Sequence, residues 1–158
     1  MLSLKKGYDQ IEGEYYTRSR LFRWWHTNRF RKSQEIVSDM EEGSIIIDLG
    51  CDGGNFTQRL LNYGEVVGLD ISSNFIRSGK RRVKTAHFII SDVQKLPLRH
   101  ASFDLVTCME VLEHLPRPDL VVSESSRILR KSGRLLVSTP DDGKRLWRII
   151  WFFWQNIG

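Results

Sequence analysis

The sequence predicts an α/β fold built on an open, mostly parallel sheet. The first observation is the stretch Ile45–Asn55, Ile-Ile-Ile-Asp-Leu-Gly-Cys-Asp-Gly-Gly-Asn. A β-branched run ends in Asp48, then Gly50, Gly53 and Gly54 make a turn, and Phe56, Leu60 and Leu61 follow at helical spacing. Strand, glycine turn, helix is the nucleotide-binding corner of such a sheet. Glycines there admit positive φ and close approach of a ligand to the main chain. The second observation is that short apolar strands alternate with helical segments five times, which implies right-handed parallel crossovers. The third is that acids end successive strands: Asp48, Asp70 and Asp92.

In chain order, Met1–Thr17 is polar with Tyr8, Tyr15 and Tyr16, a lead-in or a short helix. Arg18–Met40 reads as a helix: Leu21, Trp24 and Trp25, then Ile36, Val37 and Met40 recur at helical spacing, and Gly43 ends it. It carries six basic residues from Arg18 to Lys32, taken as a solvated face, with a substrate- or lipid-facing lid as the minor reading. Strands are expected at Ser44–Leu49, Glu65–Asp70, Ala86–Ile90, Phe103–Met109 and Arg134–Ser138. The helices between them are Phe56–Tyr63, with Asn55 and Gln58 at its start, and Asn74–Lys80, capped by Ser72 or Ser73. Arg77, Lys80, Arg81, Arg82 and Lys84 make the end of the latter basic, a solvated face that suits a helix C-terminus. The last helix opens at Pro118, bears Leu120, Val121, Ile128 and Leu129, and closes at Gly133.

The tail Lys144–Ile157 holds Trp147, Trp151, Phe152, Phe153 and Trp154, apolar on nearly all sides as a helix. Its expected cover is the protein's own core or a second copy in a homodimer, ahead of a membrane surface. The organisation expected is a single domain: 1–43 an N-terminal helical cap, 44–140 the α/β core, 141–158 the aromatic helix. The chain has 158 residues and a net charge of +5, which permits an anionic partner without requiring one. Cys51 and Cys108 are too few for a disulfide framework, and no secretory leader is read at Met1–Lys6, so a reduced, cytoplasmic setting is expected. No metal site is expected: His26, His87, His100 and His114 lack ligand spacing.

A carboxylate after the second strand suits ribose hydroxyls, and one after the third suits the amine of a base. The dinucleotide pattern Gly-x-Gly-x-x-Gly fails at Asp52 and Asn55, and no Gly-Lys-Ser/Thr follows. A ligand with ribose and base but no phosphate fits better.

The segments Asp48–Gly54, Gly68-Leu-Asp70, Ser91-Asp92-Val93 and Phe103–Leu115 together resemble the class I S-adenosylmethionine-dependent methyltransferases, nearest the small-molecule group that includes quinone-biosynthesis methyltransferases. The likeness covers roughly Ile45 to Pro140. It implies a Rossmann-like, doubly wound sheet, here without the last two of the family's seven strands, so that the fifth strand would be an exposed edge. It implies S-adenosyl-L-methionine as cofactor, with Asp48, Gly50, Asp52 and Gly54 at its methionine end. Asp70 would meet the ribose, Ile71 the adenine face, and Asp92 and Val93 the adenine edge. Met109 and Glu110 would line the reaction centre, with Glu110 and His114 as the candidates for proton handling. The family usually has glycine at Asp52. The function implied is methyl transfer by in-line displacement to a small, lipophilic acceptor. The alternative is a binding module without turnover. Nucleic acid is not the expected partner, because no amino-methylating Pro-Pro-Tyr motif or Pro-Cys nucleophile is present.

Overall fold

The computed structural model describes residues 20–139, with the side chains of 24 and 27–139. The polar lead-in, the aromatic tail and the outer domain boundaries expected above lie outside the described residues. Helix α1 (Arg20–Ile36) precedes β1 (Ser44–Leu49), the one-turn helix α2 (Thr57–Leu60), β2 (Gly64–Asp70), α3 (Ser73–Arg82) and β3 (His87–Ile90). Then come β4 (Phe103–Met109), a short 3-10 turn at Leu112–His114, α4 (Pro118–Ile128) and β5 (Leu129–Ser138).

All pairings are parallel, and the sheet order is β3-β2-β1-β4-β5. The chain steps outward from β1 to β3, then returns to the other side of β1. The order therefore reverses between β1 and β4, the place where ligands bind in open α/β sheets. β1 can be a continuous apolar run because both faces are covered. Ile46 points to a core layer with Phe30, Val37, Phe56, Leu60 and Leu105 under α1 and α2. Ile47 and Leu49 point to the opposite layer with Leu69, Val106, Val121 and Ile128 under α4. Among the described residues no helix is long and apolar enough to cross a membrane.

β2 opens at Gly64, not Glu65, and β3 at His87, not Ala86, and the bounds of four expected helices are corrected. α1 ends at Ile36, not Met40, because the backbone tightens into i→i+3 turns there. The Ser38 hydroxyl donates to the Glu35 carbonyl at 2.8 Å and competes with the helix. α2 is one turn, not Phe56–Tyr63, and no side chain caps it. Asn55 is engaged elsewhere, by Arg82. α3 runs to Arg82 and is capped by Ser72, whose hydroxyl accepts the Phe75 N–H. α4 closes at Ile128, not Gly133, where Leu129 turns extended and begins β5 at once. The pairing with β4 jumps from Phe103↔Leu129 to Leu105↔Arg134, and Gly133 sits in that irregularity, where a Cβ would crowd the Phe103 carbonyl. The Arg130 guanidinium donates to Asp104, which also accepts the Ile45 N–H, and so pins the jump.

Three glycines make room for one ring. A Cβ on Gly68 would lie 2.7 Å from the Phe88 ring and 2.9 Å from Cys51 Sγ, and Gly54 and Gly79 also face that ring. Gly68→Ala is expected to destabilise the fold by about 1–3 kcal/mol through overpacking. The urea midpoint should fall, and adding Phe88→Leu should restore part of it. An undiminished midpoint in Gly68→Ala would show that the ring is free to move.

Candidate functional site

Because the strands are parallel, their carboxyl ends share one edge. Asp92, Asp70, Asp48, Glu110 and Ser138 follow one another across it in sheet order. The loop after β1 rises from this edge. Its backbone is left-handed at Gly50, Asp52 and Gly54, with φ of +70°, +49° and +81°. Asp52 is tolerated because aspartate enters this region more readily than most side chains. The N–H groups of Gly50 and Cys51 donate to the Leu69 carbonyl, so the loop is tied to the end of β2.

Asp70 is the second tie. Its carboxylate accepts the Asp52 N–H at 3.1 Å and the Ser72 N–H at 2.9 Å. Burial raises its pKa above the ordinary aspartate range, and these backbone N–H groups partly offset the rise. A carboxylate can accept about four hydrogen bonds, so two main-chain donors leave it capacity for a ligand's hydroxyls. Ile71, beside it, is 72% exposed, an apolar surface at the mouth of the site.

Asp48 lies deeper, 1% exposed. Both of its oxygens are held by neutral hydroxyls at 2.7 Å, Thr57 from α2 and Thr107 from the facing position of β4. Burial pushes its carboxyl up to about 6, with the two hydroxyls pulling the other way. Its charge in turn helps to push the neighbouring buried Cys108 thiol up to about 12, though burial does most of this. Such thiols are poor nucleophiles near neutrality.

The other expected residues are placed as follows. Asp92 is exposed, and its Oδ1 accepts the Gln94 N–H at 2.8 Å. The Val93 side chain belongs to the core, so what it offers the edge is its main chain. Met109 is buried under α1, and its sulfur accepts the Ser33 hydroxyl. Glu110 has φ +58° and donates its N–H to the Ser138 carbonyl. Its carboxylate accepts the Ser138 hydroxyl at 2.8 Å and pairs with Arg29 of α1 at 3.1 Å. His114 is exposed, on the 3-10 turn.

Several site residues escaped the sequence reading. Thr57, Thr107, Arg29 and Ser138 are partners of the expected acids. A polar Thr107 within the buried apolar half of β4, Leu105 to Met109, was the one visible signal. Arg82, read from sequence as part of a solvated basic end, donates instead to the Gly53 carbonyl and to Asn55 Oδ1, both at 2.8 Å.

A family model described as a methyltransferase domain matches residues 47–137. The chain belongs to that family. The expected kinship with the class I S-adenosylmethionine-dependent methyltransferases, a family whose cofactor is S-adenosyl-L-methionine, stands. The chain is 27% identical over 131 residues to a ubiquinone biosynthesis O-methyltransferase of Coxiella burnetii, covering 73% of this chain and 56% of that relative. The chain thus spans little more than half the length of such relatives. Among solved structures, the PH0226 protein of Pyrococcus horikoshii superposes with a TM-score of 0.72 at 28% identity, over 91% of this chain and 66% of that one. A phosphoethanolamine N-methyltransferase of Haemonchus contortus, in complex with phosphoethanolamine and S-adenosylhomocysteine, shares the fold at TM-score 0.62 and 23% identity, over 68% and 25%. The residues present suit the cofactor. Asp70 is a buried acceptor with capacity to spare, Ile71 an exposed apolar face, and the glycine loop a left-handed main chain held at the end of β2.

Proposed function

We propose that the protein transfers a methyl group from S-adenosylmethionine to a small, lipophilic acceptor, at oxygen, by in-line displacement. The observation that carries this reading is Asp70, a buried carboxylate at the carboxyl end of β2, tied to both the glycine loop and the start of α3 and one strand from the β1–β4 point where the strand order reverses. The kinship with ubiquinone biosynthesis O-methyltransferases supports the acceptor class and the oxygen. When bound, the cofactor supplies a sulfonium methyl that is already electrophilic.

The chain's own residues then have modest tasks. Asp70 accepts the ribose hydroxyls. Ile71 packs on the adenine face, and Asp92 with the Val93 main chain meets the adenine edge. Gly50 to Gly54 receive the methionine end, with Asp48 beneath them as a negative floor. Glu110 stands towards the reacting centre, while the Met109 side chain, expected there too, packs behind it under α1. Because Glu110 is engaged by Arg29 and Ser138, its task in this reading is to fix α1 over the site and exclude water. That leaves His114 as the group to take a proton from the acceptor hydroxyl.

Titration of the chain with S-adenosylhomocysteine, followed by turnover of labelled S-adenosylmethionine against phenols and catechols bearing alkyl chains, tests the reading. Binding with O-methylated product is the expected result. Binding without turnover on any acceptor would favour the module that holds cofactor and does no chemistry. A folded chain that binds neither compound would overturn the reading.

A further inference from the structure

The loop that would receive the methionine end is held from two sides. Its near half is fixed by β2, through the Leu69 carbonyl and the Asp70 carboxylate. Its far half, Gly53 to Asn55, is gripped by Arg82, which reaches across from the last turn of α3. One guanidinium nitrogen donates to the buried Gly53 carbonyl and to Asn55 Oδ1, each at 2.8 Å. Both contacts are charge-assisted, and a guanidinium can only donate. The second contact therefore sets the Asn55 amide with its oxygen toward Arg82. That explains why Asn55 does not cap α2. It also brings a cation to a loop flanked by Asp48, Asp52 and Asp70.

We infer that Arg82 is a positioning residue for the cofactor loop, clamping Gly53 and Asn55 so that the loop is preorganised to receive the methionine end of S-adenosylmethionine. The inference rests on the cofactor reading above, and it adds a residue that acts through the loop, by its contacts with Gly53 and Asn55. Flexible glycine loops lose affinity when they must be ordered on binding, and a clamp removes that loss.

The test measures two things on the same chains: the Kd for S-adenosylhomocysteine, and backbone hydrogen exchange across 50–56 without ligand. Arg82→Ala is expected to weaken binding by about tenfold, the equivalent of losing one hydrogen bond to a charged group. Exchange in 50–56 should quicken while exchange in the core strands stays unchanged. Arg82→Lys, which keeps a charged donor but not the fork, should recover part of both readouts. Guanidinium at low millimolar concentration should recover part of the affinity of Arg82→Ala. Asn55→Leu should weaken binding less, since the Gly53 contact remains.

Affinity for Arg82→Ala within twofold of the parent overturns the inference, as does a loss that neither lysine nor guanidinium restores. If the parent chain itself binds no cofactor, the functional reading fails first. Unchanged exchange in 50–56 would then overturn the clamp independently of any ligand.

Discussion

Asp70→Ala is expected to lose cofactor binding by more than about 100-fold, and Asp70→Asn by about 100-fold, in calorimetric titration with S-adenosylhomocysteine. The asparagine variant separates charge from shape. Asp70 accepts two main-chain N–H groups, one on each oxygen. An amide can accept on one side only, and its NH2 would meet a second donor on the other. Either the Asp52 N–H or the Ser72 N–H is then left facing a donor, so the loop or the start of α3 must shift. The ribose hydroxyls lose a charged acceptor as well, and hydrogen bonds to charged groups contribute about 1.5–3 kcal/mol each. The same geometry predicts a pH effect. Burial holds the Asp70 pKa above the ordinary aspartate value, so its proton returns earlier as pH falls. Affinity should therefore weaken on acidification, starting above the pH where an exposed aspartate would titrate, and the Asp70→Asn chain should lack that component. Affinity in Asp70→Ala within about threefold of the parent would sink the ribose assignment.

What the sequence made legible and what it hid divide along a physical line. β1 and β4 were read to the residue because a buried parallel strand is a short apolar run with no competing pattern, and Pro118 marked α4 because its ring suits a first turn. The three strand-end acids could be assembled into one site without coordinates, since parallel strands bring their carboxyl ends to a common edge. The misread ends share one cause: a tertiary partner outcompeted the local signal. Asn55 looked like a cap and was taken by Arg82, 27 residues away. Gly133 looked like a helix stop and became part of a register jump secured by Arg130 and Asp104. The partners of the site's acids were hidden for the same reason. Thr107 lies 59 residues from Asp48, and nothing in the spacing joins them. Arg82 could be read only as one more charge on a basic helix end until the loop it holds was placed beside it.

Asp48 should make the folded chain less stable as pH rises, the reverse of a salt-bridged aspartate. Its carboxyl is raised from 3.8 to about 6 in the fold, chiefly by burial. Between those values the unfolded chain gives up this proton and the folded chain retains it. Folding stability therefore falls through that window and levels off above it. The full effect is about 3 kcal/mol for a shift of this size. Asp48→Asn keeps the side chain's shape and removes the charge. The amide oxygen can accept from one threonine hydroxyl, and the other hydroxyl can turn to accept from the NH2. The variant is expected to match the parent near pH 4 and to exceed it by about 2–3 kcal/mol at pH 7.5 in urea unfolding. Asp70 contributes a slope of the same sign, so the difference between the two chains, not the parent's slope alone, reads Asp48. Equal pH slopes in parent and variant would refute the assignment. A carboxylate kept where its holders are two neutral hydroxyls, at a standing loss of stability, has a rationale if a cation comes to rest above it. The sulfonium and ammonium of the proposed cofactor supply one. Ligand binding should accordingly flatten the parent's slope, and Asp48→Asn, the more stable chain at neutral pH, should be the weaker binder.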